Sequence, residues 1–527
     1  MAEASLIARI AFSTAPFAST PGWTDISNTV LRCSTRRGRN HELDRMESGW
    51  AVVQLLNTSG DYWPYNTTGA YTPNVLPAKK INIRAKYGDR WVSPTSHVDP
   101  DTAWTWDIYA YDDDTGTYAY STVQPQTWSS WLELHLSAST LVTSVRYFLS
   151  SLQSVNITKI KIDLYYDSAW NNIYEGSLTL NAWTEVALAA RQDVSKARIA
   201  FWNNVALGGS SYLARFSEFD FNSDYNIYTG FIENWQPGFL SAPDRIPIMT
   251  LQCADFIKNT SRLLINNTTG YILEASGTRV ANVLSELGWP TSSLTLDAGQ
   301  SNFQATGALA STNAQDHLFK TQESEPGIVY LTPDGNVAYE DRHHRLGAGH
   351  VTSAAVFGDD SGEMGYHRLH LSYDDWYIYN DVRMRILGGA EQVATSTTSQ
   401  DSYGKRSLSK TDLLNNANAD AESQAGYLKT KYENPLMRAS EIEIRPDLDP
   451  TNLYPKVFGY DISSRITVRH NDSSLDEDYY IEGINHDFIP GKPWDTKWQL
   501  SKAEAYQYWK LGVTGFSELG STTRPFY

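Results

Sequence analysis

A chain of 527 residues holds about three to five domains at roughly 100–200 residues each, which excludes a single compact fold. Aromatic residues make up 13%, with 32 Tyr and 17 Trp, a mixture suited to pleated, half-buried surfaces, so a mainly β chain is expected. Lys and Arg total 43 against 60 Asp and Glu, and the formal charge of -17 excludes a general nucleic-acid binder, while two cysteines, Cys33 and Cys253, exclude a disulfide framework.

The start lacks a basic n-region, and Arg9 interrupts its only apolar run. No stretch approaches the ~18–20 apolar residues of a membrane span, so a soluble protein made in a cytoplasm is expected. Strand patterns cover 29–34, 51–57 and 80–85, where Ile81 and Ile83 alternate with Asn82 and Arg84. They describe a small antiparallel barrel left unfinished near Gly88.

The next segment, 89–224, holds eight of the seventeen Trp. Alternation at 131–136 and 159–164, with shorter runs at 177–180 and 197–202, predicts a β-sandwich. Barrel-like runs return at 227–234 and 248–253. The expected organisation is therefore a discontinuous first barrel, 1–88 plus 225–262, carrying an inserted sandwich at 89–224.

Thr278 is placed to cap a helix in which Val280, Val283, Leu284 and Leu287 share one face, closed by Gly288 and Pro290. A second helix is expected at 313–324. A hairpin follows, 328–331 and 336–340 about the turn Pro333-Asp334-Gly335. Helices on a hairpin make 263–365 an α+β middle domain. Beyond it, strands at 366–371, 381–387, 440–444, 464–469, 479–486 and 494–500 predict a second barrel over 366–510, with a polar stretch at 388–401 and an inserted helix at 411–432. Residues 511–527 form a tail.

The ordered string Trp23-Thr-Asp-Ile26, Arg36-Arg37-Gly38-Arg39, Glu42-Leu43-Asp44-Arg45, 49–57 and Gly60-Asp-Tyr-Trp-Pro64 resembles the opening of phage tail hub proteins. Phe231-Ile-Glu-Asn-Trp235 with Leu251-Gln-Cys-Ala-Asp255 resembles the return of their first domain. Asp316-His-Leu318, Glu325-Pro-Gly327, the Pro333 hairpin and Glu340-Asp-Arg342 are similar to the middle domain, and Ser402-Tyr-Gly-Lys-Arg406, 480–486 and 494–500 to the last. Each motif is weak alone, and their shared order carries the resemblance over about three quarters of the chain.

The resemblance implies a homotrimeric baseplate or tail-tip hub in the virion. Two tube-like barrels per chain would make six around a DNA channel, adapting a sixfold tube to a threefold tip. It further implies a tail tube or distal tail protein, a tape-measure protein and a tip spike or fibre as partners, with DNA passing unbound. An acidic wall suits such passage, and an acidic pI is equally ordinary for a soluble protein.

Arg36, Arg37 and Arg39 crowd one turn. They suit either a subunit contact through bidentate carboxylate pairs or an intramolecular network with Glu42, Asp44 and Glu47. In the insert, 109–119 followed by 128–134 resembles discoidin-like, galactose-binding-type jelly rolls, whose Asp-rich loop often holds a structural cation. That resemblance implies Ca²⁺ held by oxygens of Asp112, Asp114, Thr117 and Glu218, with an empty acidic turn as the other reading. Trp104, Trp106, Trp128 and Trp170 sit near turn signals and are candidates for stacking on host glycans, although most sandwich Trp are core.

His343, His344, His350, His367 and His370 match no metal-ligand spacing. Glycoside hydrolysis by Asp374-Asp375 or Glu477-Asp478 needs a spatial separation that sequence does not show. No nucleophile-elbow, zincin or phosphate-loop pattern occurs, so an enzyme is not expected and no cofactor is required. A carbohydrate-active enzyme or a lectin is the alternative.

Overall fold

The computed structural model describes residues 4–503, apart from 19–20, 89, 241–244 and 348, together with 507–508 and 523–524. The protein is mainly β, as its composition requires. It divides into two compact units, one spanning Ala85–Tyr225 and the other comprising Ser5–Arg84 with Asn226 onward.

In the first unit, 17 residues of Leu132–Phe148 and 21 of Trp183–Asn203 form the centre of a seven-stranded sheet. Ile157–Tyr166 and Ala169–Ser177 extend it on one side, and Glu218–Ser223 with Trp91–Val92 on the other. A three-stranded sheet of Trp104–Thr105, Ala119–Val123 and Tyr212–Phe216 packs on it. Alternate residues enter the shared core, among them Leu132, Leu134, Ile160, Ile162, Ile199, Phe201 and Phe216.

In the second unit, strands expected in two separate barrels run together in one thirteen-stranded sheet. The join is Val30–Gly38 against Leu475–Phe488, in register from Cys33 opposite Phe488 to Gly38 opposite Gly483. At that end the backbones close on each other. A Cβ on Gly38 would stand 2.2 Å from the Glu482 carbonyl oxygen, and its φ of +92° is one that side chains resist.

Lys80–Lys86 alternates as expected, yet Asn82 and Arg84 are buried rather than solvated. Arg9 donates to Asn82 at 2.9 Å, Asn82 to Thr229 at 2.9 Å, and Arg84 to Asn226 at 3.0 Å, so this polar face is engaged from within the unit.

The middle region forms helices Ser276–Glu286 and Ala314–Ser324 beside the hairpin Ile328–Leu331 and Val337–Glu340, around Val280, Leu284, Leu318, Leu331 and Val337. Asn313 caps the second helix by accepting from the Gln315 and Asp316 amides. Thr278 caps nothing, because the first helix begins two residues earlier, at Ser276.

The expected helix at 411–432 begins only at Asn418, and Ser407–Leu413 is a strand parallel to Asp381–Ile386. The polar stretch 388–401 contains strand Gln392–Thr395 and the start of helix Thr397–Tyr403. These pieces make a separate three-stranded sheet on which helix Asn418–Tyr432 lays Ala421, Ala425 and Leu428. Helix Pro450–Gly459 was not expected, although Pro450 in its first turn and buried Leu453, Val457 and Phe458 announce it. The expected tail at 511–527 lies outside the described residues except Thr523–Arg524.

Candidate functional site

The acidic turn of the sandwich unit lies between the short helix Asp107–Ala110 and strand Ala119–Val123. Asx-type bonds shape it: the Asp114 carboxylate accepts from the Gly116 amide at 2.8 Å, and Asp112 accepts from the Asp114 amide at 3.2 Å. The Thr117 hydroxyl lies 2.9 Å from both Asp112 carboxylate oxygens and 2.9 Å from the Asp114 carbonyl oxygen.

Glu218 reaches this turn from the start of Glu218–Ser223, a strand buried throughout. Its Oε1 accepts from the Asp114 amide at 2.9 Å, while its buried Oε2 has no hydrogen-bond partner among the described residues. Burial, and then the side chain of Asp112, raise the Glu218 carboxyl to about 8. A proton or a cation at Glu218 relieves that penalty.

The donor set is all oxygen, which fits a hard divalent cation. Asp112, Thr117 and Glu218 are thus brought together. Asp114 belongs to the same turn: its Oδ1 accepts from the Gly116 amide, and its carbonyl oxygen accepts from the Thr117 amide at 3.1 Å and from the Thr117 hydroxyl.

Of the four tryptophans expected to meet glycans, the fold leaves one open. Trp104 is 7% exposed in the sandwich core, its indole donating to the Ser130 carbonyl at 3.1 Å. Trp128 and Trp170 stand on the outer face of the large sheet with cations and rings against them. Trp128 meets Trp202 at 5.5 Å and Lys161 at 5.9 Å, and Trp170 meets Arg198 at 4.4 Å and Lys196 at 4.8 Å. Arg198 also lies 4.1 Å from Trp131 and pairs with Asp163 at 2.7 Å, so the row forms an aromatic–cation ladder. Sequence reasoning missed Trp131, Asp163 and Arg198; the outward positions of the alternating runs 131–135 and 159–163 were the available signal.

Trp106 is 57% exposed and holds a left-handed φ of +60° as the residue before helix Asp107–Ala110. Tyr120 meets it edge-on at 5.4 Å and Tyr109 lies at 5.9 Å, so a rigid aromatic is presented six residues before Asp112. An exposed non-glycine residue held at positive φ marks a position that the surrounding structure constrains.

Arg37 and Arg39 are buried within their own unit. Arg37 pairs with Asp461 at 2.6 Å and donates to the Ile227 carbonyl at 3.1 Å, and Arg39 pairs with Glu482 at 2.8 Å. Arg36, partly exposed, meets Glu47 at 3.0 Å and Asn40 at 2.9 Å. An intramolecular network therefore engages these arginines: Glu47 and the Asp44 carbonyl, to which Arg39 donates at 3.2 Å, take part as expected, and Asp461 and Glu482, distant in sequence, supply the carboxylates in place of Glu42 and Asp44. Of the three, Arg36 alone stands partly exposed, at the surface where a subunit contact was expected.

The acidic pairs are each divided between cations: Asp374 with Arg438, Asp375 with Arg406, Glu477 with Lys502 and Asp478 with Arg465. His344 lies 2.8 Å from Asp297, and His370 lies 3.5 Å from Glu441 and 3.7 Å from Glu443. Lys497, 2.5 Å from Glu443, already supplies a cation there.

No known family pattern matches the chain, and no curated protein matches its sequence. Among solved structures it is similar to the 43 kDa tail protein of prophage MuSo2 from Shewanella oneidensis, at 8% identity over 95% of this chain and 97% of that one, with a TM-score of 0.44. The tail protein from Neisseria meningitidis MC58 matches at 11% identity over 66% and 97%, with a TM-score of 0.40. The family 32 carbohydrate-binding module of Clostridium perfringens NanJ, solved with galactose, matches at 16% identity over 26% of this chain and all of its own, with a TM-score of 0.22.

Proposed function

We propose that the chain is a structural protein of a phage tail tip: a homotrimeric hub around the DNA channel, joining the sixfold tube to a threefold tip and bearing a sandwich module that contacts host glycans. The observation that supports it most is the single sheet uniting Val30–Gly38 with Leu475–Phe488. In this reading early and late strands of each chain contribute together to the wall of a three-chain ring. The role is assembly and passage, without turnover. Its partners are further copies of itself, a tail tube or distal tail protein, a tape-measure protein and a spike or fibre, and it resides in the virion tail.

Within the sandwich module, Asp112, Thr117 and Glu218 would hold a structural Ca²⁺, which neutralises the facing carboxylates. Trp106 is the glycan-stacking residue, since its exposed ring offers a flat apolar surface. Electron microscopy of virions tests the hub, with a threefold ring at the distal tail expected. A monomeric glycan binder absent from the tail would replace the hub with a lectin. For the module, Trp106→Ala should lower glycan binding at least tenfold without changing Tm, and unchanged binding would remove Trp106 from the site.

A further inference from the structure

The small sheet of the sandwich unit, Trp104–Thr105, Ala119–Val123 and Tyr212–Phe216, turns Ala119, Ser121, Ala214 and Phe216 into the core. Tyr120 and Arg215, opposite each other in register, therefore stand together on its outer face. From the strand on the other side of Tyr120, exposed Trp106 meets that ring edge-on at 5.4 Å. An open indole and a guanidinium thus flank one tyrosine.

Arg215 is fixed by neutral groups. Buried Gln153 accepts from its amide at 2.8 Å and donates to its carbonyl at 3.1 Å, which anchors the main chain. Its Nη1 donates to the Leu152 carbonyl at 2.6 Å, and the guanidinium lies 5.4 Å from the Tyr118 ring. The side chain is partly exposed, and Nη2 makes no hydrogen bond among the described residues.

Its charge is left over. Arg146, Lys161, Lys196 and Arg198 of the same unit each meet a carboxylate, whereas none pairs with Arg215 among the described residues. The acidic turn does not compensate it, because Asp112 faces Thr117 and Asp114 accepts from the Gly116 amide. In a chain with 60 acidic and 43 basic residues, a preorganised arginine without an acid is matched to an anion brought from outside. We propose that the Trp106 site takes an anionic saccharide, its ring stacked on the indole and its carboxylate or phosphate bound by Arg215, an inference that rests on the glycan-stacking role of Trp106 and adds the charge of the ligand.

The test titrates the full chain with galactose, galacturonic acid and galactose 6-phosphate by ligand-observed NMR, since the three differ only in the group at C6. At least one acid should bind about tenfold more tightly than galactose, as a charge-assisted contact requires, and the tighter of the two identifies the acidic group. Arg215→Gln should abolish that preference and leave galactose binding unchanged, which also shows the site still folded. Added salt should weaken the acids and spare galactose. Failure of both acids to bind more tightly than galactose, or a preference that survives Arg215→Gln, overturns the anionic ligand and leaves the role of Trp106 standing. Trp106→Ala should weaken all three sugars, and unchanged binding there would remove Trp106 from the site and the anionic ligand with it.

Discussion

Arg39 donates from Nε to Glu482 Oε2 at 2.8 Å, although 443 positions separate the two residues in sequence. Arg345 takes the other oxygen at 2.5 Å, and the Glu482 side chain is wholly inaccessible. Burial by itself would raise this carboxyl, but Arg345 and Arg39 hold it at about 2. Glu482→Gln therefore strands two buried guanidinium groups and should cost about 3–5 kcal/mol in denaturant unfolding. The folded value lies below the unfolded one of 4.5, so this stabilisation is complete above pH 4.5 and is lost as pH falls toward 2.

Buried His486 extends the acid sensitivity upward. It lies 2.9 Å from the Thr496 hydroxyl and accepts from the Trp494 indole at 3.2 Å, and burial, followed by Arg37, lowers it to about 3. The unfolded chain thus binds the proton first. Stability should decline as pH falls from 6.5 toward 3, and the decline should be shallower in His486→Gln, as read by thermal melts across that range.

Gly38→Ala tests the join between the chain's early and late strands. The new methyl would strike the Glu482 carbonyl in a backbone conformation that alanine resists. A loss of about 2–3 kcal/mol is expected in denaturant titration, whereas a neutral result would mean that the two strands can part without harm.

The Ca²⁺ proposed for the acidic turn carries a linked prediction. With Glu218 near 8, the ion-free fold binds a proton that the unfolded chain releases above about 4.5, so ion-free stability should fall as pH rises from 4.5 to 8. Calcium should displace that proton, raise Tm, and show a calorimetric heat that varies with the buffer's ionisation enthalpy. Glu218→Gln should abolish the calcium-dependent rise in Tm.

Arg198 separates Trp131 from Trp170 and pairs with Asp163 through two nitrogens, at 2.9 and 2.7 Å. Lysine keeps the charge but loses the planar fork and its stacking. Arg198→Lys is expected to cost about 1–2 kcal/mol by thermal unfolding, more than a surface ion pair would.

Much of the local structure was written in the sequence. Helix Ala314–Ser324 carries its Asn313 cap, the hairpin after it carries Pro-Asp-Gly, and the sandwich strands show a period of two, because these signals depend on residues within a turn or two of each other. The acidic turn was legible for the same reason, since Asp112 and Thr117 are five residues apart.

Tertiary structure decided the rest. Parallel pairing with Asp381–Ile386 carried strand Ser407–Leu413 through the first residues of the helix expected from Thr411. Cations drawn from other strands covered the rings of Trp128 and Trp170, leaving Trp106 open. The merging of early and late strands into one sheet, and the choice of Glu482 as the partner of Arg39, rest on contacts hundreds of residues apart. Periodicity fixes which face of an element is apolar, but only the folded chain selects the element that covers it.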